Sequence, residues 1–138
     1  MVVYFSRGGR TRTIAEAIAQ ELECESVGTK SGAPQVSEID MLAVGSGNYG
    51  GKPHESIQNF IECLQPSKSS KAAVFATSAS PEPKCILVMQ KALESKGYHV
   101  VSSFKCRGQF LFFNRHHPNE DNLKNAKGFA GNLKTHLR

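Results

Sequence analysis

A six-residue stretch near the amino terminus combines two glycines, two hydroxyl residues and two arginines: Ser6-Arg7-Gly8-Gly9-Arg10-Thr11. It falls between an apolar run and a segment with helical spacing, where free backbone N–H groups and the positive end of a helix dipole converge. Gly8 and Gly9 let the backbone curl around an anion, and Ser6 and Thr11 can add hydroxyl donors. The pattern predicts a phosphate cradle. A plain tight turn, with Thr11 or Ser6 as the helix N-cap, is the alternative.

Related phosphate-binding motifs do not fit this stretch. The chain contains neither G-x-x-x-x-G-K-[ST] nor G-x-G-x-x-G, and the loop holds no cysteine that could serve as a phosphatase nucleophile. A receiver domain would need acidic residues at the end of the first strand, and there are none. These absences argue against the corresponding classes of phosphate-handling protein.

The elements that must position this loop alternate between strand and helix patterns. Apolar, β-rich runs predict strands over 2–5, 25–28, 39–44, 72–76 and 98–104, and helical spacing predicts helices over 11–22, after Pro53, and over 86–96 and 119–136. This rhythm predicts an α/β fold: a doubly wound five-stranded parallel sheet in the order 2-1-3-4-5, with helices on both faces. In this fold ligands bind beyond the carboxyl ends of the strands, where the strand order reverses.

The run from Val2 to Ile18 resembles the flavodoxin signature. In that signature an apolar-aromatic strand precedes a Ser/Thr, a small residue, a Thr, an Ala and an aliphatic residue at fixed spacing, and every position that can be placed matches. The later loops also fall where those of a flavodoxin would, so the resemblance covers essentially the whole chain. It implies a single short-chain flavodoxin-like domain over residues 1–138 that binds FMN, with the FMN phosphate in the Ser6–Thr11 loop.

The same resemblance assigns the flavin ring to the loops after the third, fourth and fifth strands. A flavin ring needs apolar contact on its faces and polar groups at its edge. Tyr49 is the stacking candidate, or else an ordinary exposed loop tyrosine, and Asn48 or the glycine backbone beside it could reach the ring edge. The loop after the fourth strand lacks the tyrosine that flavodoxins usually have there to cover one face of the flavin ring. Phe110, in the run 110–113, is a candidate to cover that face of the ring, unless the run packs into the core. The full set of predicted cofactor-binding residues is Ser6, Arg7, Gly8, Gly9, Arg10, Thr11, Ser46, Gly47, Asn48, Tyr49, Gly50, Thr77, Ser78, Cys106, Gly108 and Phe110.

Two positions depart from the usual flavodoxin loop, T/S-x-T-G-N-T. Gly8 replaces its middle Thr, which removes one hydroxyl donor, and Arg10 replaces its Asn. Flavodoxins generally hold the phosphate without a cationic side chain, whereas this chain has Arg7, Arg10 and Arg12 in or beside the loop. The arginines could compensate for the lost hydroxyl through bidentate binding, point into solvent, or recognise a second phosphate or an acidic partner. The sequence leaves these alternatives open.

The positive net charge of +5 lies entirely in the last part of the chain. Residues 1–98 hold ten basic and ten acidic residues, and residues 99–138 hold seven basic and two acidic ones. We expect a redox partner protein with an acidic docking surface, with a simple solvated helix face as the alternative, and we expect no nucleic-acid partner.

Cysteine spacing and hydropathy suggest no further type of site. The four cysteines form no C-x-x-C pair, so neither a zinc site nor a redox dithiol is indicated, and no metal is expected. No apolar run reaches the length of a membrane helix, and no export signal is visible. We therefore expect a cytoplasmic protein without membrane association, and a monomer.

Two functions are compatible with these features, and a third possibility is that the altered loop has lost FMN and the fold serves as an interaction module. The first is an electron carrier that passes electrons to a partner reductase. The second is a small flavin-dependent NAD(P)H oxidoreductase that acts on quinones or similar acceptors. The predicted loops contain no nucleophile–base pair and no paired carboxylates, so no catalytic residue is assigned and the carrier is favoured over a self-sufficient enzyme.

Overall fold

The computed structural model describes residues 1–36, 39–67, 70–78, 83–107 and 120–136. All five strands are parallel and lie in the order β2-β1-β3-β4-β5. This confirms the predicted doubly wound α/β fold. The elements in chain order are β1 (Val2–Tyr4), α1 (Arg10–Leu22), β2 (Ser26–Gly28), β3 (Met41–Gly47), α2 (Glu55–Glu62), β4 (Lys71–Ser78), α3 (Cys85–Ser95), β5 (His99–Arg107) and α4 (Glu120–Thr135).

Helices cover both faces of the sheet. Successive strand residues point to opposite sides, so neighbouring residues of one strand pack against different pairs of helices. Val3, Leu42 and Val74 pack on one side with the buried residues of α2 and α3. Val2 and Phe75 pack on the other side with those of α1 and α4. Nearly continuous burial of β3 and β4 is typical of central parallel strands.

Helices α1 and α4 pack side by side on the second face and run in the same direction. Lys134, in the last turn of α4, lies 3.7 Å from Glu21, near the end of α1. The first turns of both helices therefore lie at the edge of the sheet where the strands end. This places the start of α4 on the same side of the molecule as the Ser6–Thr11 loop.

Three strands extend further than the sequence pattern predicted. Residues 45–47 continue β3, residues 77–78 continue β4, and β5 ends at residue 107. The prediction that these residues belong to loops was therefore wrong: Gly45–Gly47, Thr77–Ser78 and Cys106 are strand residues. The reason is pairing: Gly47 pairs with Thr77, and Thr77 pairs with Cys106. Neighbouring strands thus satisfy backbone groups that local sequence alone would leave to a turn.

Gly45 allows close packing in the centre of the sheet. A Cβ at this position would stand 2.0 Å from the ring of Phe75 on the neighbouring strand. The glycine is therefore needed for the close approach of this ring rather than for a turn. In the part of the chain that the structure describes, no helix is long and apolar enough to cross a membrane.

Candidate functional site

A cleft of about 340 Å³ opens where β1, β3 and β4 end. This is the edge of the sheet at which the strand order reverses, and the volume falls in the range of small-molecule sites. The residues that line it come from three segments that are distant in sequence, and all of them are in the predicted cofactor-binding set. They are Ser6, Arg7, Gly8, Arg10, Thr11, Gly47, Asn48, Tyr49, Thr77 and Ser78.

The loop after β1 is held in shape by its own hydroxyl. Ser6 Oγ accepts a hydrogen bond from the backbone N–H of Gly9 at 2.9 Å. Gly9 is the N-cap of α1, and its positive φ of 94° is a conformation that glycine adopts without strain. Ser6 can still donate its own hydroxyl proton. The loop is therefore preformed, with this hydroxyl at the wall of the cleft.

Two threonine hydroxyls join the loop to the end of β4. Thr11 Oγ1 and Thr77 Oγ1 are buried and 2.7 Å apart, across 66 residues of sequence. Each hydroxyl has one proton to donate, so one of the two donates to the other while the second proton remains free. This contact fixes the start of α1 relative to the centre of the sheet and presents a hydroxyl donor to the cleft.

The side chain of Arg10 folds back over the loop. A Cβ added to Gly8 would stand 2.9 Å from Arg10 Nη1, so the guanidinium occupies space that a side chain at position 8 would enter. Arg10 Nε is buried and has no hydrogen-bond partner among the described residues. A buried donor without a partner costs on the order of 1–3 kcal/mol. Arg10 thus presents an unsatisfied cationic donor group in a cleft that already has hydroxyl donors.

This donor set fits a phosphate group. Ser6, the Thr11–Thr77 pair and Arg10 supply hydroxyl and guanidinium donors around one space, next to the N-terminus of a thirteen-residue helix. Hydroxyls, guanidinium groups and helix N-termini are the usual partners of phosphate in proteins. Among the described residues, no carboxylate lines the cleft.

Tyr49 contributes the aromatic ring of the cleft. Its ring lies close to Gly47, where a Cβ would stand 3.1 Å from the tyrosine oxygen. The Arg7 guanidinium carbon lies 4.9 Å from the ring centroid, a cation–π contact. Burial raises the pKa of Tyr49, and the charge of Arg7 opposes part of that shift. A flavin that stacks on this ring would have to share or displace the Arg7 contact, so stacking on Tyr49 stays a prediction.

His54 packs against Tyr49, a role that the sequence did not predict. Its ring stacks on Phe5 with centroids 3.5 Å apart and meets Tyr49 edge-on at 5.7 Å. Its Nδ1 accepts from the backbone N–H of Ser56, which caps α2. Burial and the charge of Arg7 lower the pKa of His54. Its position just before a helix was the available signal, because N-cap residues bind the first free N–H groups.

Three predicted residues at the end of β3 or in the loop after it have structural roles. Ser46 is buried, and its Oγ donates to Gly47 O and accepts from the N–H of His54. Asn48 Oδ1 accepts from the N–H of Cys85 at 3.2 Å, which caps α3, and its amide N–H groups can donate to a ligand. Gly50 lies in a tight turn with φ 64°. Neither Ser46 nor Gly50 lines the cleft, although both hold the loop that does.

The remaining predicted residues are placed away from the cleft or lie outside the described part of the chain. Gly9 lines a neighbouring cleft instead. Cys106 is a strand residue packed against the α1–α4 side of the core, and burial raises its pKa to about 11. Gly108, Phe110 and the run 110–113 lie outside the described residues. Within the described ranges, no group of three or more His, Cys, Asp or Glu residues could hold a metal ion.

The doubly wound sheet and the phosphate-compatible cleft at its switch point define a protein of the flavodoxin type. The chain belongs to the flavodoxin family, because the model of the flavodoxin domain matches residues 1–111. This confirms the family resemblance seen in the sequence. Membership supports flavin binding and electron transfer as the general function.

One sequence relative and two solved structures illustrate what this chain is similar to. An uncharacterized protein of Methanocaldococcus jannaschii is 33% identical over 134 residues, covering 89% of each chain. Flavodoxin 1 from Bacillus cereus superimposes with a TM-score of 0.81 at 20% identity, covering 99% of this chain and 97% of its own. A short-chain flavodoxin associated with a bacterial microcompartment has a TM-score of 0.79 at 16% identity, with the same coverage. At these identities the two structures support the fold.

Proposed function

We propose that this chain binds FMN and carries electrons to a partner protein. The observation that carries the proposal is the cleft where β1, β3 and β4 end, whose lining combines phosphate donors with an aromatic ring. FMN has the matching chemistry, with a phosphate monoester joined through a flexible chain to a flat ring. Bound FMN would supply reversible redox chemistry at this edge of the sheet.

The phosphate donors of the cleft favour FMN over riboflavin. Arg10 brings a positive charge to the cleft, and its buried Nε needs a hydrogen-bond acceptor. A phosphate oxygen would satisfy that donor, whereas riboflavin has no anionic group to offer. In this proposal Arg10 replaces the hydroxyl that the usual flavodoxin loop provides at position 8.

The flavin ring would be bordered by the loop after β3. Tyr49 lies there with its ring fixed between Gly47, Phe5 and His54, so the loop loses little conformational freedom when a flat ligand binds. The amide N–H groups of Asn48, which lines the cleft, and the backbone of the turn at Gly50 are polar groups of this loop. We assign them the ring edge.

A carrier function is favoured because the described cleft residues provide binding groups rather than acid–base machinery. The tyrosine and arginines there have no carboxylate or imidazole partner lining the same cleft. An electron carrier needs no proton-transfer residue, whereas an enzyme that reduces an organic acceptor usually positions one.

The partner is proposed to dock through the start of α4. Lys124 and Lys127 are exposed and belong to the first half of this helix, the half that lies toward the cleft edge. Lys134 lies at the far end and is paired with Glu21. This half of α4 also carries Glu120 and Asp121, so its formal charges balance. Together with Arg7 and Arg10 of the loop at the same edge, the region beside the cleft is net positive, which would attract an acidic partner surface.

Flavin content and reactivity test this function. The purified full chain is expected to contain FMN, or to take it up with a Kd far below that for riboflavin, as measured by flavin fluorescence quenching. The holoprotein alone should then oxidise NAD(P)H only negligibly. A chain that binds no flavin after FMN is added would contradict the proposal. Rapid NAD(P)H oxidation without a partner would instead support the enzyme alternative.

A further inference from the structure

A second cleft lies on the other side of the loop after β1. Its volume is about 350 Å³, and it opens where β1 and β2 end. Its walls come from the loop itself, from the start of α1 and from the turn after β2. The lining residues are Tyr4, Ser6, Arg7, Gly9, Arg12, Gly28, Thr29, Lys30 and Ser31.

The second cleft is basic. Arg7, Arg12 and Lys30 line it, and none of its described lining residues is a carboxylate. Arg12 makes an exposed ion pair with Glu16, which lies one helical turn away on α1. For Lys30 no ion pair is found among the described residues, and the contact described for Arg7 is with the ring of Tyr49. The cleft therefore retains positive charge that an anion could neutralise.

The wall formed by β2 is rigid and rich in hydroxyl groups. Thr29 is buried, donates its N–H to Tyr4 O, and lies 2.6 Å through its Oγ1 from Ser56 Oγ. The turn that follows is closed by a bond from Gly32 N–H to Thr29 O at 3.1 Å. This turn presents Lys30 and the hydroxyl of Ser31 toward the cleft.

The two clefts share a wall. Ser6 and Arg7 line both of them, so a group bound in the second cleft would lie next to the phosphate donors of the first. A second phosphoryl group would therefore find cationic and hydroxyl groups close to those proposed for the flavin phosphate. A single phosphate monoester would leave the second cleft without a ligand.

We propose that the second cleft binds a phosphoryl group beside the flavin phosphate, with Lys30 as its main cationic contact. The inference rests on the proposed flavin function and extends it to a second ligand group. The phosphoryl group has two possible sources with the same chemistry. It is either the second phosphate of FAD, which is continuous with the flavin, or a phosphate of a free adenine nucleotide bound beside FMN.

Flavin and nucleotide titrations of a Lys30 variant test this site. K30Q removes one exposed charge, and K91Q removes an equally exposed charge on α3 as the matched control. We expect K30Q to raise the Kd for FAD by about tenfold, the usual effect of losing a charge-assisted phosphate contact. The Kd for FMN should change by less than about twofold in both variants, within the error of independent sites.

A second titration separates the two sources. ADP is added to the FMN-loaded wild-type protein and to FMN-loaded K30Q, with isothermal calorimetry as the measurement. If ADP binding depends on Lys30, the site is supported and its phosphoryl group comes from a free nucleotide. If FAD binding depends on Lys30, the site is supported and its phosphoryl group is the second phosphate of FAD.

Two results would overturn the inference while leaving the flavin function intact. One is tight FMN binding with neither FAD nor ADP affected by K30Q. The other is an equal loss of FMN and FAD affinity in K30Q, because Lys30 would then act on the first cleft. Absence of binding for FMN and FAD alike would instead contradict the proposed function itself.

Discussion

Arg10 lies against Gly8, with its Nη1 2.9 Å from the point where a Cβ at position 8 would stand. These are the two positions at which the loop departs from the usual flavodoxin pattern. The structure makes them one change rather than two, because the absent side chain at position 8 leaves the space that the guanidinium fills. The loop exchanges a neutral hydroxyl donor for a cationic one.

Replacing Arg10 should weaken FMN binding selectively. In R10Q the charge-assisted contact to the phosphate is lost, and we expect the Kd for FMN to rise by about tenfold or more. The Kd for riboflavin, which has no phosphate, should be unchanged. R12Q is the matched control, since Arg12 is exposed and pairs with Glu16. Fluorescence titration measures both ligands, and equal losses in R10Q and R12Q would contradict the assignment.

Positions 8 and 10 should be energetically coupled. G8T places a side chain where the guanidinium lies, so Arg10 must move and FMN affinity should fall. G8T/R10N restores the usual flavodoxin pair and should recover much of that loss, because the hydroxyl replaces the cation. A double-mutant cycle over the two sites then gives a coupling of about 1 kcal/mol. Additive effects would show that the two departures are independent.

Removing one hydroxyl of the buried threonine pair should destabilise the fold. T11V leaves Thr77 Oγ1 without its described partner, which costs on the order of 1–3 kcal/mol in the free energy of unfolding. T11V/T77V should cost less than the sum of the single variants, because no polar partner is left behind. Urea unfolding monitored by circular dichroism measures both. Additive losses would argue against a direct bond between the two hydroxyls.

The folded protein should lose stability in acid through His54. Folding lowers the pKa of this imidazole below its ordinary value of about 6.5, so the unfolded state binds the proton more readily. The contribution of His54 is complete above that value and is lost as the pH falls through the lowered folded-state pKa. H54N retains an N-cap side chain for α2 but does not titrate. Urea midpoints should therefore fall less steeply in H54N than in wild type as the pH decreases from about 7.

Electron transfer to an acidic partner should depend on the start of α4. K124Q/K127Q removes two exposed charges from the half of the helix nearest the cleft, and the second-order rate constant should fall at low salt. Because long-range steering is screened by ions, the difference from wild type should disappear at high ionic strength. Stopped-flow reduction over a salt series measures this. K91Q on α3 serves as the control, and a rate without salt dependence would exclude steering.

The pattern of strands and helices determined the fold, since alternating elements in this rhythm allow few topologies. The Ser6–Thr11 loop was likewise recognisable, because its glycines, hydroxyls and position before an apolar helix form a local pattern. Cleft residues such as Tyr49 and Thr77 could be named once the topology was predicted, because the ends of parallel strands meet at one edge.

Only the tertiary structure decided what the individual side chains contact. It separated the three arginines, with Arg10 over the phosphate loop, Arg7 on Tyr49 and Arg12 paired with Glu16 on the helix surface. It also extended β3, β4 and β5 and brought the His54 ring into edge-on contact with the ring of Tyr49. The physical reason is that strand ends and side-chain orientations depend on partners far away in sequence, and these partners are set only when the sheet assembles.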